Sequence, residues 1–222
     1  MPAARPPLIL LPPSETKWSP ARGQAIDLAA LSFSELTQLR ESLLDEELRH
    51  APTTTAGRLY AGVLYAALDL PTLPSGAAKN IVVISAQFGA LRMSDRVPAY
   101  RREMDAAYWR DGLRSPLEAL AKGRVILDCR SATYATVWKP TGAASAKRVH
   151  VGVVEEKNGV RKVISHFAKK ARGEVARHLL VTGAKVRTPE ELAAAIGTAF
   201  TVELEPPTKP GQPYELTVVQ QG

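Results

Sequence analysis

Three short apolar runs constrain this chain more than anything else in it: Leu8-Ile9-Leu10-Leu11, Ile81-Val82-Val83-Ile84 and Val125-Ile126-Leu127. A strand with one wet face alternates apolar and polar side chains, whereas an unbroken apolar run has both faces covered and belongs inside a sheet. Pro12-Pro13 closes the first run, and a predicted helix over 115–122 leads into the third, a strand over 124–128. The middle of the chain therefore has a strand, connection, helix, strand rhythm. The expected fold is mixed α/β, one domain over residues 1–222 around a mixed central sheet. Neither an internal repeat nor a low-complexity segment divides it.

Turn and cap chemistry places the remaining elements. Lys157-Asn158-Gly159 between apolar runs predicts a hairpin of strands 149–155 and 160–166, because Asn-Gly tolerates positive φ. A helix over 165–182 follows. Thr188-Pro189-Glu190-Glu191 supplies the cap, the N1 proline and the N3 glutamate of another. Strands 201–205 and 214–220, around a proline-rich turn, complete a C-terminal hairpin and helix region. Ser34 is the expected cap of a helix reaching about residue 49, residues 56–70 suit a helix or a strand, and residues 86–102 read as a long polar loop.

With 45% hydrophobic residues among 222, the chain can bury a substantial core. Its 29 Lys and Arg against 22 Asp and Glu give a net charge of +7, which favours anionic partners: nucleic acid, nucleotides or phosphorylated metabolites. Cys129 is the sole cysteine, which excludes an intramolecular disulfide and points to a reducing compartment, the cytoplasm. Residues 8–11 are too short a run to span a membrane. There is no P-loop and no G-x-G-x-x-G, and His50, His150, His166 and His178 are scattered, away from metal-ligand spacing. No metal site and no cofactor are expected. Ser85 and Ser131 lack the G-x-S-x-G setting of a hydrolase nucleophile.

Candidate site residues fall in two kinds of place. In the basic helix, Ala168, Ala171, Val175 and Leu179 form the core-facing stripe, so Lys169, Lys170, Arg172 and Arg177 point elsewhere. Gly173, in one row with Lys169 and Arg177, admits either an anion or a closely packed neighbour. The other place is the loops leaving strand ends, the usual ligand position in mixed sheets. These loops carry Lys17 after the first strand; Arg92, Asp95, Tyr100, Arg101 and Glu103 after the second; and Ser131, Tyr134 and Lys139 after the third. If the strand ends lie side by side, the cations converge on one basic cleft. Asp95, Tyr100 and Glu103 are the candidates for catalysis should the protein be an enzyme.

These segments resemble the bacterial YaaA family of peroxide stress response proteins. The resemblance is carried by Glu156-Lys157-Asn158-Gly159, Val163-Ile164-Ser165, Ala168-Lys169-Lys170-Ala171-Arg172-Gly173 and Ala176-Arg177. It extends to Ser85, Gly89, Leu91, Arg92, Asp95, Tyr100, Arg101, Glu103 and Met104, to Ser131, Tyr134, Lys139 and Pro140, and more weakly to Gly62, Tyr65 and Leu68. It implies a compact α/β fold, resistance to hydrogen peroxide through limited free iron, and DNA binding through a positively charged cleft. The chain departs from the family pattern in its longer Pro12-Pro13-Ser14-Glu15-Thr16-Lys17 loop, in Thr133 and Thr136, and in lacking a G-h-G hairpin between Ser34 and Arg49. DNA contact is then expected to be backbone-driven and not sequence-specific. A second reading, an enzyme acting on a nucleotide or other phosphorylated small molecule, rests on the polar residues at the strand ends and stays open at this point.

Overall fold

The computed structural model describes residues 3–145, 147–163 and 165–221, without the side chains of 163 and 165–167. Its strands are β1 (Leu8–Leu11), β2 (Thr53–Thr55), β3 (Ile81–Ser85), β4 (Gly89–Leu91), β5 (Arg96–Pro98), β6 (Ile126–Asp128), β7 (Arg148–Lys157), β8 (Val160–Val163), β9 (Val202–Glu205) and β10 (Tyr214–Gln221). One sheet has the order β4-β3-β1-β6-β7-β10-β9, with β8 on β7, while β2 and β5 form a separate antiparallel pair. The spine β3, β1, β6, β7 and β10 is parallel throughout, and antiparallel β4 and β9 close its edges. Ile9 pairs with Ile81 and Leu127, so the three apolar runs of the sequence lie side by side.

Both faces of that spine are covered, as unbroken apolar strands require. Ile9, Leu11, Ile81, Val83 and Leu127 face a cluster holding Ala171, Val175 and Leu179 of the helix Ser165–Thr182. The alternate residues Leu8, Leu10, Val82, Ile84 and Ile126 meet Trp109, Leu113 and Leu117 of the helix Ala106–Ala121. That helix begins nine residues earlier than the sequence suggests, because Asp105 caps it by accepting from the Tyr108 amide at 3.0 Å. The two-residue Asn158-Gly159 turn has φ of 51° and 74°, as the hairpin reading requires. Ile164, assigned from sequence to the second hairpin strand, lies outside the described residues.

Two expectations are corrected, and the open choice over residues 56–70 is decided for helix. Residues 86–102 are no long polar loop: β4 folds back on β3, β5 pairs with β2, and Phe88, Leu91, Met93, Val97 and Tyr100 are buried. Residues 34–49 form a 3-10 turn, Ser34–Leu36, and two short helices, Thr37–Glu41 and Glu46–His50, the second capped by Asp45 through the Leu48 amide at 2.8 Å. Buried Arg40 organises this region by donating to the carbonyls of Ser32, Phe33, Phe88 and Ala90. Residues 56–70 contain two short helices, Ala56–Leu59 and Val63–Leu68, separated where Tyr60 bridges to Lys17 and Gly62 takes φ of 112°.

Candidate functional site

β1, β3 and β6 run the same way and finish at Leu11, Ser85 and Asp128, so the chain leaves each through a loop on the same side of the sheet. The loop after β1 is stitched to the segment between the two short helices: the Trp18 amide donates to Leu59 O at 2.8 Å and the Ala61 amide to Thr16 O at 3.2 Å. This fixes Lys17, whose Nζ donates to Ser14 O at 2.8 Å and lies 4.4 Å from the centroid of the Tyr100 ring. Burial lowers the Lys17 pKa, neighbouring Arg101 lowers it further, and Glu15 opposes both. Glu15 also reaches Lys169, at 3.9 Å.

Beneath the ammonium runs a chain of buried hydroxyls. Ser85 Oγ donates to Tyr100 Oη at 2.8 Å, and Tyr100 Oη lies 3.0 Å from Tyr60 Oη. Ser85 Oγ in turn accepts from the Gln87 and Phe88 amides at 3.2 and 3.0 Å, which sets its direction. Tyr65, stacked on Tyr60 with centroids 5.4 Å apart, donates to Pro12 O at 2.6 Å. Burial holds the pKa values of Tyr60, Tyr65 and Tyr100 above that of an ordinary phenol, and burial followed by Glu15 raises that of Tyr134. At neutral pH these groups are hydrogen-bond donors and not bases.

The helix Ala132–Ala135, with Ser131 at its N-cap position, brings Tyr134 close to these buried tyrosines. Ser131, Lys139 and Arg172 line a pocket of about 430 Å³ there, together with Arg148, His150 and Glu215. The loop after β6 is held by a buried pair: Arg130 Nε and Nη2 donate to Asp128 Oδ1 and Oδ2 at 2.8 and 2.7 Å, and Nη2 also reaches Trp138 O. Burial pushes Asp128 up, but the Arg130 charge and hydrogen bonds, with Arg148 adding, hold its pKa below the usual carboxylate value.

The structure thus brings Lys17, Tyr100, Arg101, Tyr134 and Lys169 to one end of the parallel strands, with Ser131, Lys139 and Arg172 on the neighbouring pocket. Other candidates go elsewhere. Arg92 donates to the carbonyls of Lys79, at 2.6 Å, and Ile81, at the opposite end of β3. Asp95 is buried and accepts from Ser32 Oγ and the Ser32 and Arg92 amides, so its carboxylate holds a turn. Glu103 is exposed, and Lys170 pairs with Glu174 at 3.4 Å. Arg177 donates to Leu68 O and Asp69 O at 3.1 and 3.0 Å. Gly173 faces protein: a Cβ there would collide with the Leu64 carbonyl oxygen and lie 2.9 Å from Ala67 Cβ, so its role is close packing on the helix Val63–Leu68. Tyr60, Arg148 and Glu215 were not singled out from sequence. An arginine opening the apolar run that begins at Val149 was the available signal for one of them.

A family profile described as peroxide stress protein YaaA matches residues 8–205. The chain belongs to the YaaA family. Among its relatives, a UPF0246 protein of Streptomyces coelicolor is 36% identical, over 96% of this chain and 98% of its own length. A UPF0246 protein of Corynebacterium efficiens is 34% identical over 96% and 99%, and one of Ruegeria pomeroyi 29% identical over 87% and 81%. The YaaA match covers the hydroxyl chain, the Asp128–Arg130 pair and the whole basic helix. Among the described residues no group of three His, Cys, Asp or Glu is placed to hold a metal ion, and no helix is long and apolar enough to cross a membrane.

Proposed function

We propose that this member of the peroxide stress family is a cytoplasmic protein that binds DNA, or another polyanion, along the basic surface at the C-terminal end of β1, β3 and β6. The observation that carries the reading is the gathering of Lys17 and Lys169 around Glu15, with Arg101 close enough to Lys17 to lower its pKa. Next to Lys169, exposed Lys170 adds to the same charge, its partner Glu174 lying one turn along the same helix. Cations held together in excess of carboxylates repel one another, and a polyanion relieves that repulsion while releasing its own counterions. Contact of this kind reads phosphates and not bases.

Anisotropy of a fluorescent duplex of arbitrary sequence, titrated over a range of salt, tests it. The double substitution Lys169→Ala and Lys170→Ala should weaken binding and reduce the slope of log K against log salt by about one per lysine removed. Unchanged affinity and slope would exclude this surface.

A second reading is favoured by the Ser85–Tyr100–Tyr60 hydroxyl chain under Lys17, which a phosphate-binding surface does not need. It makes the protein an enzyme on a phosphorylated small molecule, with Lys17 rather than Asp95 as the proton-transfer group. Under that reading Tyr100→Phe loses turnover in a metabolite screen while keeping DNA affinity. A screen with no conversion by the wild type removes it.

A further inference from the structure

The parallel strands do not end level. β6 stops with Asp128 opposite His150, while β7 continues to Lys157, and β8 takes up the edge of β7 only from Val154. This leaves a notch in the sheet, where Arg172 Nε donates to the Val151 carbonyl at 2.9 Å. A backbone acceptor without a neighbouring strand needs such a donor. The pocket of about 430 Å³ lies beside the notch, within the size range of small-ligand sites.

The charges in it do not balance. Asp128 is committed to Arg130 through two hydrogen bonds, and Glu215 Oε2 is 2.7 Å from His150 Nδ1, its cross-strand neighbour in the register of β10 on β7. Arg148, Arg172 and Lys139 remain, contributed by three different segments. Arg148 is the telling member. It is 6% exposed, and among the described residues its one side-chain hydrogen bond is a long contact of 3.4 Å from Nη2 to Gly211 O and its buried Nε has no acceptor. Buried donors in folded proteins are almost always satisfied, and a guanidinium presents a rigid fork of them.

We propose that this pocket binds a small phosphorylated molecule, with the phosphate held by Arg148, Arg172 and Lys139 and the hydroxyl-bearing remainder against Ser131 and the His150–Glu215 pair. Three cationic groups around one cavity match a group with three free oxygens and up to two charges better than a carboxylate with two oxygens and one. The volume exceeds what a bare ion fills, and the carboxylate of Glu215 suits ligand hydroxyls. The proposal is separable from the DNA reading, because Lys17, Lys169 and Lys170 do not line this pocket.

Ribose 5-phosphate, inorganic phosphate and acetate serve as probes, followed by calorimetry and by the Nε–H resonances of the arginines in ¹⁵N NMR. Ribose 5-phosphate should bind more tightly than phosphate, acetate should not bind, and the Arg148 Nε–H resonance should shift on titration. Arg148→Lys and Lys139→Ala should each weaken ribose 5-phosphate binding about tenfold or more, the factor expected for a lost charge-assisted hydrogen bond. Lys169→Ala with Lys170→Ala should leave it unchanged. Should Arg148→Lys fail to fold, exposed Lys139 and the wild-type resonance decide the matter. No binding of either phosphate probe at millimolar concentration, an unmoved Arg148 signal, or equal binding of acetate would each overturn the proposal.

Discussion

The two ends of the parallel strands are both rich in cations and use them in opposite ways. At the end where the strands begin, Arg124 donates to Pro6 O, Pro7 O and Asn80 Oδ1 at 3.0, 2.9 and 2.8 Å, and Arg92 donates to Lys79 O and Ile81 O. Burial, with Arg92 and Arg5 adding, lowers the Arg124 pKa to about 10, and burial also lowers that of Arg92 against the pull of Asp95. Those guanidiniums are fasteners for chain entering the sheet. At the end where the strands finish, Arg101, Lys139 and Lys169 are exposed with few carboxylates among them, and half-buried Lys17 commits one of its three donors to Ser14 O. A strand-end loop rich in cations is therefore a candidate for ligand binding only after the backbone carbonyls within reach have been subtracted.

The largest effect should come from a pair at the C-terminal end that is fully committed, which separates commitment from position. Asp128→Asn leaves Arg130 buried without its counter-charge and should cost about 3–5 kcal/mol in urea unfolding. Because the folded pKa of Asp128 lies below the unfolded value of 3.8, the unfolded chain binds more protons between the two values. The stability from the pair is then fully present above about pH 3.8 and is lost as pH falls through the folded pKa, so wild type and variant should converge in acid. A constant gap down to the lowest accessible pH would mean that the pair is not the source of the difference.

Smaller effects are expected at the opposite end, and they bear directly on the comparison. Arg124→Ala removes three hydrogen bonds from a half-buried group and should cost about 2 kcal/mol, and Arg92→Ala about 1 kcal/mol. Neither should alter the duplex-DNA binding proposed for the other end or its salt slope. A folded Arg92→Ala protein with weakened DNA binding would break the distinction between fastening and binding cations.

The sequence made the spine of the fold legible because its physics is local. Unbroken apolar runs give β1 and β3, Asn158-Gly159 gives the β7–β8 turn, and Thr188-Pro189 gives a helix start in which Thr188 Oγ accepts from the Glu191 amide at 3.2 Å. Polar residues with distant partners were illegible. Arg40 carries no signal in the sequence that sets it apart, yet it is fully buried on four carbonyls, two of them about 50 residues away. Asp95 reads as a loop carboxylate for catalysis or for capping a turn; it does cap one, through the Arg92 amide, but its second partner Ser32, 63 positions earlier, has no local signal. Gly173 allowed two readings from its row of cations, and the helix Val63–Leu68 decides for packing because it approaches from a part of the chain that periodicity does not connect to it. The basic group around Lys17 was legible as composition at strand ends, but the hydroxyl chain beneath it depends on Tyr60, which arrives through the bridge to the loop after β1.

The smallest effect concerns Cys129, the residue that a link to peroxide brings first to mind. It directly follows β6, at the same end as the exposed cations, but shares none of their accessibility: the side chain is fully buried, with Sγ 3.9 Å from the Arg172 carbonyl oxygen. Burial pushes its pKa up to about 12, the Arg172 charge opposing and the Asp128 charge adding. Peroxide attacks thiolate, and a buried thiol that stays protonated offers it neither charge nor access. Intact-mass analysis of the native protein after exposure to hydrogen peroxide should show Cys129 unmodified until denaturant is added. Cys129→Ala should cost about 1 kcal/mol, the loss of one small buried side-chain atom, and leave the DNA affinity proposed above unchanged. Rapid formation of a sulfenic acid in the folded protein would place redox chemistry inside the sheet, and the contrast between the two ends would then rest on a reactive thiol as well as on unmatched cations.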